Sequence, residues 1–184
     1  MSENKNLEVA TLAAGCFWCT EAAFNIIKGV EHIEPGYTGG TTVNPTYEEV
    51  STGSTGHAEA AQIYFDPKVI SYKEILEIFF TMHDPTSLNR QGADIGTQYR
   101  SAIFYHNQQQ KETAEKLIAE LTQEGIWDKP IVTEIVPLKT FYSAETYHKD
   151  YYKKHPKEPY CQAVIAPKIA KLQQRFLDKI KVPL

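Results

Sequence analysis

The sequence is poor in cysteine, which occurs only at positions 16, 19 and 161 of 184 residues. A small and odd number of cysteines excludes a scaffold held together by disulfides. Residues 1–6 are polar and lack the basic and apolar blocks of a secretory signal peptide. We therefore expect a cytoplasmic protein, whose thiols are available for redox or nucleophilic chemistry in a reducing compartment.

Other features are also missing. No apolar stretch approaches the length of a membrane span, and the net charge of -4 comes without a long run of Lys or Arg. We expect neither a membrane nor a nucleic-acid partner. The six histidines show no HxxxH or HxH spacing, and no second ligand pair accompanies Cys16 and Cys19, so we expect no metal site. Because internal repeats and linker-like composition are absent too, residues 1–184 are predicted to form one catalytic domain.

Strand and helix patterns alternate along most of the chain. Apolar alternation predicts strands, and apolar residues at helical spacing, with capping residues before them, predict helices. This order favours an α+β fold, a ferredoxin-like two-layer sandwich with a mixed sheet, helices packed on it and a coil-rich C-terminal segment. The predicted strands are Leu7–Ala14, Val30–Gly36, Ala60–Phe65, Tyr99–Tyr105 and Ile131–Val136; the predicted helices follow Cys16, Ser71, Asn107 and Ala166, with a helix-compatible stretch at Glu145–Lys154; residues 83–98 and 155–161 are predicted to be loop and coil.

Cys16 lies where the first strand gives way to the first helix. A thiol in the first turn of a helix faces unpaired N–H groups and the positive end of the helix dipole, which lower its pKa and favour the nucleophilic thiolate. Phe17 and Trp18 follow directly and suit the wall of an apolar pocket. The alternative is a buried structural cysteine among core aromatic residues.

Four further residues are candidates for the same site. Glu59 begins an apolar strand, and apolar surroundings push a carboxyl towards its neutral form, so that it can act as a general acid. Tyr47 and Tyr99 can donate hydrogen bonds to a bound oxygen, and Asp94 lies in the predicted loop. Taken alone, Glu59 is equally compatible with a solvated strand start, and each of the other three is more typical of an ordinary surface or half-buried residue.

Four motifs in order resemble the peptide methionine sulfoxide reductase family, A type. They are Gly-Cys-Phe-Trp-Cys at 15–19, Asn-Pro-Thr-Tyr at 44–47, Gly-His-Ala-Glu-Ala at 56–60 and Gln-Gly-Ala-Asp-Ile-Gly-Thr-Gln-Tyr-Arg-Ser at 91–101. The resemblance implies reduction of the S epimer of methionine sulfoxide, because one enzyme type serves each epimer. It implies that Cys16 attacks the sulfoxide sulfur while Glu59 protonates the oxygen. Tyr47, Tyr99 and Asp94 would then bind that oxygen, and Phe17 and Trp18 the S-methyl group.

The resemblance also implies how the enzyme is recycled. A second thiol would convert the sulfenic acid on Cys16 into a disulfide, which thioredoxin, or a dithiol such as dithiothreitol, would reduce without a bound cofactor. The substrates would be oxidised proteins and free methionine sulfoxide, and we expect a monomer. Cys161 resembles the family's resolving cysteine, in a coil able to swing towards Cys16.

Cys19 is the alternative resolving thiol. In a regular helix its Cβ atom would be roughly 5–6 Å from that of Cys16, beyond the roughly 3.5–4.5 Å of a disulfide, unless the helix start relaxes. Many family members have Gly at this position. A Cys-x-x-Cys pair after a strand also leaves open a thioredoxin-like dithiol–disulfide oxidoreductase that uses Cys16 and Cys19. A module that binds oxidised methionine without turnover, and a purely structural domain, are further alternatives.

Overall fold

A computed structural model describes residues 5–181 of the chain. Within these residues the strands are β1 (Glu8–Ala14), β2 (Val30–Thr38), β3 (Ala58–Phe65), β4 (Arg90–Gln91), β5 (Asp94–Ile95), β6 (Ser101–Tyr105), β7 (Glu134–Pro137) and β8 (Phe141–Ser143). The helices are α1 (Phe17–Asn25), α2 (Tyr47–Ser51), α3 (Tyr72–Met82), α4 (Gln108–Glu124), α5 (Tyr151–Lys154) and α6 (Ala166–Arg175), with a π-helical turn at Cys161–Ile165 directly before α6.

Six strands form one mixed sheet in the order β7-β6-β1-β3-β2-β8. β6 and β7 are parallel, and the other neighbouring strands of this sheet are antiparallel. β1 and β3 lie at the centre, so the residues at their ends are enclosed by neighbouring strands and by the helices. The prediction of an α+β fold with a mixed sheet is confirmed.

The two faces of the sheet are packed differently. Alternation along β1 sends Leu12 to the larger core, where Phe24, Ile63 and Phe79 pack with residues of α3 and α4, and Ala13 to the opposite face. That opposite face carries small residues, among them Ala13 and the alanines of β3 and β6, under a partly buried cover from the segment around β7 and β8. The helices therefore bury most of the apolar surface on one side of the sheet.

Local sequence signals mark the start of α3 and both ends of α4. Ser71 and Glu74 form a capping box at the start of α3, with each side chain bound to the other residue's backbone N–H. Asn107 caps α4 by accepting a hydrogen bond from the Gln110 N–H, and Gly125 ends α4 in the left-handed conformation. No helix within residues 5–181 combines the length and the apolar character needed to cross a membrane.

The second half of the chain departs from the predicted elements. Residues 83–98 contain the β4–β5 hairpin, and the predicted strand Ile131–Val136 is shifted to β7. The helix expected over Glu145–Lys154 is wrong: a 3₁₀ turn at Thr146–His148 and the short α5 are separated by Asp150, which adopts the left-handed conformation with φ +54°. An interruption of this kind ends any continuous helix.

The capping box gives a test of how α3 is stabilised. Replacing Ser71 by Ala removes the acceptor for the Glu74 N–H, so we expect the free energy of unfolding to fall by about 1 kcal/mol. Urea denaturation followed by circular dichroism measures it. The matched control is Ser54→Ala, which removes an exposed hydroxyl 2.7 Å from that of Thr52 outside any helix, and for which we expect a change within about 0.5 kcal/mol. Equal losses in the two variants would show that the box contributes nothing.

Candidate active site

Cys16 is placed by a tight connection between β1 and α1. It is the N-cap of α1, with an extended rather than helical ψ of 127°, and it is 7% exposed. Gly15 precedes it with φ +89°, and a Cβ atom there would lie 2.8 Å from the side chain of Gln91. Both the left-handed backbone and the close approach require glycine at position 15. The connection therefore fixes the thiol at the start of the helix.

Glu59 lies in β3, opposite Tyr37 of β2, and is 2% exposed. Its Oε1 accepts a hydrogen bond of 3.1 Å from the backbone N–H of Phe17, the first residue of α1. Burial raises the pKa of Glu59 to about 8; the Phe17 N–H opposes this shift, whereas the charges of Asp94 and Cys19 add to it. At neutral pH the carboxyl next to Cys16 therefore carries a proton that it can give away.

The thiol pKa values differ from the expectation for Cys16. Burial raises the pKa of Cys16, and a hydrogen bond with Cys19 and the charge of Glu59 raise it further; the nearby Trp18 N–H opposes these effects weakly. Its interaction with Cys16 lowers the pKa of Cys19, against the effect of burial. The acidities of the two thiols therefore depend on each other. The helix start alone does not make Cys16 anionic, because removal from water costs more.

Cys161 packs against the same pair. All three cysteines are free and buried, and they form one cluster with Ala22 and Ile165. Cys161 begins the π-helical turn that leads into α6, so the prediction of coil at this residue is wrong. Burial raises the pKa of Cys161, and the charges of Glu158 and Cys19 raise it further.

Tyr47 and Tyr99 reach this site from different elements. Tyr47 is the first residue of α2, and its ring stacks on that of Phe17 with 6.4 Å between centroids. Tyr99 ends a 3₁₀ turn and packs against the cysteine cluster. Burial raises the pKa of Tyr47 to about 12 and also raises that of Tyr99, with contributions from the charges of Glu59 and Cys16 at both. Both hydroxyls therefore keep their protons and can donate hydrogen bonds.

Asp94 lies in the β4–β5 hairpin, on the side of the site near Cys19. Its Oδ2 accepts a hydrogen bond of 2.6 Å from the hydroxyl of Tyr160, which also lies 3.7 Å from the sulfur of Cys19. The structure therefore links Asp94 to the thiol pair through Tyr160, a residue that the sequence analysis does not identify as part of the site.

Phe17 and Trp18 form an aromatic wall. Phe17 is buried with Tyr37 and Val50, whereas Trp18 is only half-buried. The Trp18 indole stacks on Tyr151 with 3.7 Å between centroids and an interplanar angle of 5°. Both residues thus have fixed positions beside Cys16, as a pocket wall requires.

The segment from Glu145 to Tyr151 completes the site and was missed as a source of site residues. The Glu145 carboxylate accepts hydrogen bonds from the Tyr37 hydroxyl and the Tyr47 backbone N–H, and His148 accepts one from the Trp18 indole. The signal in the sequence is the concentration of three tyrosines and a histidine within residues 147–152, since amphipathic rings of this kind are often found beside a site.

His57 lies outside this group. Its Nδ1 accepts a hydrogen bond from the Gly40 N–H, and its Nε2 lies 2.7 Å from the Thr42 carbonyl oxygen, so the ring is used within the turn. Among residues 5–181, no three His, Cys, Asp or Glu side chains are grouped so as to hold a metal ion.

The chain was compared with known families, proteins and structures. A family model described as peptide methionine sulfoxide reductase matches residues 8–180. Peptide methionine sulfoxide reductase MsrA of Saccharolobus solfataricus is 57% identical over 176 residues, covering 96% of this chain and 98% of that protein. Among solved structures, reduced Mxr1 from Saccharomyces cerevisiae is similar with a TM-score of 0.79 at 36% identity, covering 88% of this chain and 92% of that one. Mxr1 in complex with Trx2 is similar with a TM-score of 0.56 at 26% identity, covering 82% and 88%.

These matches extend over nearly the whole chain, and the Cys16–Glu59 pair lies within them. Their coverage and identity are high enough to show the family of the chain and not only its fold. This chain belongs to the peptide methionine sulfoxide reductase family.

Proposed function

We propose that the protein reduces the S epimer of methionine sulfoxide, free or within proteins, to methionine. One observation carries the proposal: a buried carboxyl with a pKa of about 8, that of Glu59, is hydrogen-bonded at the start of the helix that Cys16 caps. Reduction of a sulfoxide needs a sulfur nucleophile and an acid for the departing oxygen, and both are present here. Family membership supports the same reaction.

In the first step, the sulfur of Cys16 attacks the sulfoxide sulfur while Glu59 protonates the sulfoxide oxygen. This attack forms an S–S bond between Cys16 and the substrate. The protonated oxygen then passes to the Cys16 sulfur as the substrate's S–O bond and the new S–S bond break, so methionine leaves and Cys16 is left as a sulfenic acid. Cys16 must lose its thiol proton for the attack. Cys19 is the acceptor in this proposal, because it packs in the same buried cluster as Cys16 and its interaction with Cys16 lowers its pKa.

The other site residues bind the substrate in this proposal. The Tyr47 and Tyr99 hydroxyls donate hydrogen bonds to the sulfoxide oxygen, since both keep their protons. Asp94, held by the Tyr160 hydroxyl, helps to position that oxygen. Phe17 and Trp18 surround the S-methyl group, and a pocket that fixes oxygen and methyl together accepts one configuration at sulfur.

The sulfenic acid is resolved by the two remaining thiols. Cys19 follows Cys16 by three residues and packs in the same buried cluster, so in this proposal it attacks first, which forms a Cys16–Cys19 disulfide and releases water. The argument from regular helical spacing is weakened, because Cys16 is the N-cap of α1 and has a non-helical ψ of 127°. Cys161, in the same cluster, then attacks Cys19, so that Cys16 is released as a thiol and a Cys19–Cys161 disulfide remains.

An external dithiol completes the cycle. We propose thioredoxin as the physiological reductant, with dithiothreitol as a laboratory substitute and no bound cofactor; the solved complex of the relative Mxr1 with Trx2 supports this. We also propose that the protein is a monomer with one catalytic domain. A cytoplasmic location is proposed because free thiols fit a reducing compartment. The strand order β6-β1-β3-β2 supports a ferredoxin-like description of the sheet centre. The thioredoxin-like alternative is not favoured, because the family match covers residues 8–180.

The first test replaces the proposed acid. We expect Glu59→Gln to lower kcat about 10²–10⁴-fold, because the amide keeps the hydrogen bond from Phe17 but cannot donate an acidic proton. The assay incubates the variant with racemic methionine sulfoxide and dithiothreitol and follows each epimer by chiral chromatography. The matched control is Glu21→Gln. It alters a second buried carboxyl, which lies in α1 and has a pKa of about 7. A change of less than tenfold is expected there, and equal losses would refute the role of Glu59.

The second test uses the pH dependence of the reaction. Glu59 donates only in its protonated form, so kcat/KM should fall as the pH rises through about 8, although the thiols become more ionised over the same range. The profile is measured from pH 6 to pH 10 with the S epimer. The residual activity of Glu59→Gln should lack the descending limb. A wild-type rate that stays level up to pH 10 would argue against an acid with this pKa.

The third test maps the thiols after one turnover without reductant. Mass spectrometry should find a Cys16–Cys19 disulfide in Cys161→Ser, formed at close to the wild-type rate, and a Cys19–Cys161 disulfide in the wild type. In Cys19→Ser, disulfide formation should be at least tenfold slower. Should Cys161→Ser accumulate sulfenic acid instead, Cys161 is the first resolving thiol, and the order proposed here is wrong.

A further inference from the structure

His148 is a buried histidine that directly contacts the aromatic wall. It is 1% exposed, and its Nδ1 accepts a hydrogen bond of 3.1 Å from the indole N–H of Trp18. An imidazole that accepts at Nδ1 is neutral and carries its proton at Nε2. Burial lowers the pKa of His148, with opposing effects from the charges of Glu145 and Glu48, so the ring keeps this acceptor at neutral pH.

The other side of the imidazole has aromatic neighbours and no hydrogen bond. The ring centroids of Phe17, Tyr47 and Tyr147 lie 5.0, 4.4 and 4.1 Å from that of His148. Nε2 is buried and has no hydrogen-bond partner among residues 5–181. A buried N–H without a partner is unfavourable. Within residues 5–181, the polar contact of the His148 ring is therefore the hydrogen bond that it accepts from the Trp18 indole.

The indole of Trp18 is held from two directions. Its N–H is bound to His148, and its face stacks on Tyr151 at 3.7 Å. Stacking alone permits the indole to slide or rotate in its own plane, and the directional hydrogen bond removes that freedom. The two contacts together define one orientation of the ring.

The segment that carries His148 and Tyr151 is itself anchored at both ends. At one end, Glu145 accepts the hydrogen bond of the Tyr47 N–H at 3.1 Å. At the other end, the Asp150 N–H donates to the buried carboxyl of Glu21 at 2.8 Å, which ties the segment to α1. His148 is therefore a fixed reference for Trp18, because α1 and α2 are both attached to the segment on which it lies.

We propose that His148 is a positioning residue that gives the site its selectivity for a methyl group on the substrate sulfur, by holding the Trp18 indole in one orientation. The inference rests on the proposed function, in which Trp18 forms part of the methyl pocket. An indole in one position leaves a pocket of one size, whereas an indole free to turn leaves room for a larger alkyl group. The hydrogen bond at Nδ1 thus determines which S-alkyl groups enter.

The first measurement reads the contact itself, without activity. Trp127 is the other of the two tryptophans, so in a Trp127→Phe background the single indole N–H resonance belongs to Trp18. We expect slow hydrogen exchange for this proton, at least tenfold faster exchange in His148→Leu, and a restored rate in His148→Asn, whose Oδ1 takes the place of Nδ1. His148→Gln, which keeps polarity but misplaces the acceptor, should behave like His148→Leu and serves if the leucine variant does not fold.

The second measurement reads selectivity. The ratio of kcat/KM for the S epimers of methionine sulfoxide and its S-ethyl analogue, ethionine sulfoxide, should fall about tenfold in His148→Leu and His148→Gln and remain unchanged in His148→Asn. In a Trp18→Phe background, His148→Leu should cause no further change. The control His106→Leu removes a contact of 2.7 Å to Thr11 in an exposed histidine outside the site and should leave the ratio unchanged.

The outcomes separate the two proposals. If His148→Leu and His148→Gln keep the wild-type ratio, the role of His148 is overturned, whereas the proposed reductase activity is unaffected. A fall of the ratio in His148→Asn as large as in His148→Leu would show that the acceptor is not what matters and would overturn it as well. A wild type that reduces neither sulfoxide would refute the proposed function, and the selectivity inference with it, whatever the exchange rates show.

Discussion

The hydrogen bond from the Phe17 N–H to Glu59 joins the start of α1 to the centre of the sheet, and the chemistry of the site depends on it. The first N–H groups of a helix have no partner inside the helix, so a carboxyl from a central strand can satisfy one of them. This contact brings the acid next to the N-cap thiol. It also limits how far burial can raise the pKa of Glu59, because the N–H stabilises the charged form; the resulting value of about 8 leaves the proton both present and transferable near neutral pH.

Elements defined by neighbours in sequence could be predicted, and elements defined by distant partners could not. The capping box Ser71–Glu74 and the Asn107 cap are local signals, and both helices begin there. β8 has only three residues and exists because it pairs with Gly36–Thr38, more than a hundred residues earlier in the chain. The left-handed Asp150 is a similar case, since its N–H binds Glu21 of α1, and nothing around residue 150 predicts that partner.

The candidate site shows the same division. The motifs around Cys16 and Glu59 identify the residues, and the turn between β1 and α1 follows from Gly15. The raised pKa of Cys16 could not be predicted, because it comes mainly from burial in a cluster that includes Cys161, which is distant in sequence. The contact of His148 with Trp18 could not be predicted either. Only the three-dimensional structure shows that the two rings, which are distant in sequence, lie together.

The depth of the three sulfur atoms has a consequence for how the chain behaves in concentrated solution. Cys16, Cys19 and Cys161 are 7%, 1% and 0% exposed. Thiol–disulfide exchange requires the attacking sulfur to approach its target directly, so two folded copies cannot bring these atoms into contact. Covalent cross-linking between copies therefore requires local opening around the cysteine cluster first, and the three thiols stay unlinked to other copies for as long as the chain stays folded.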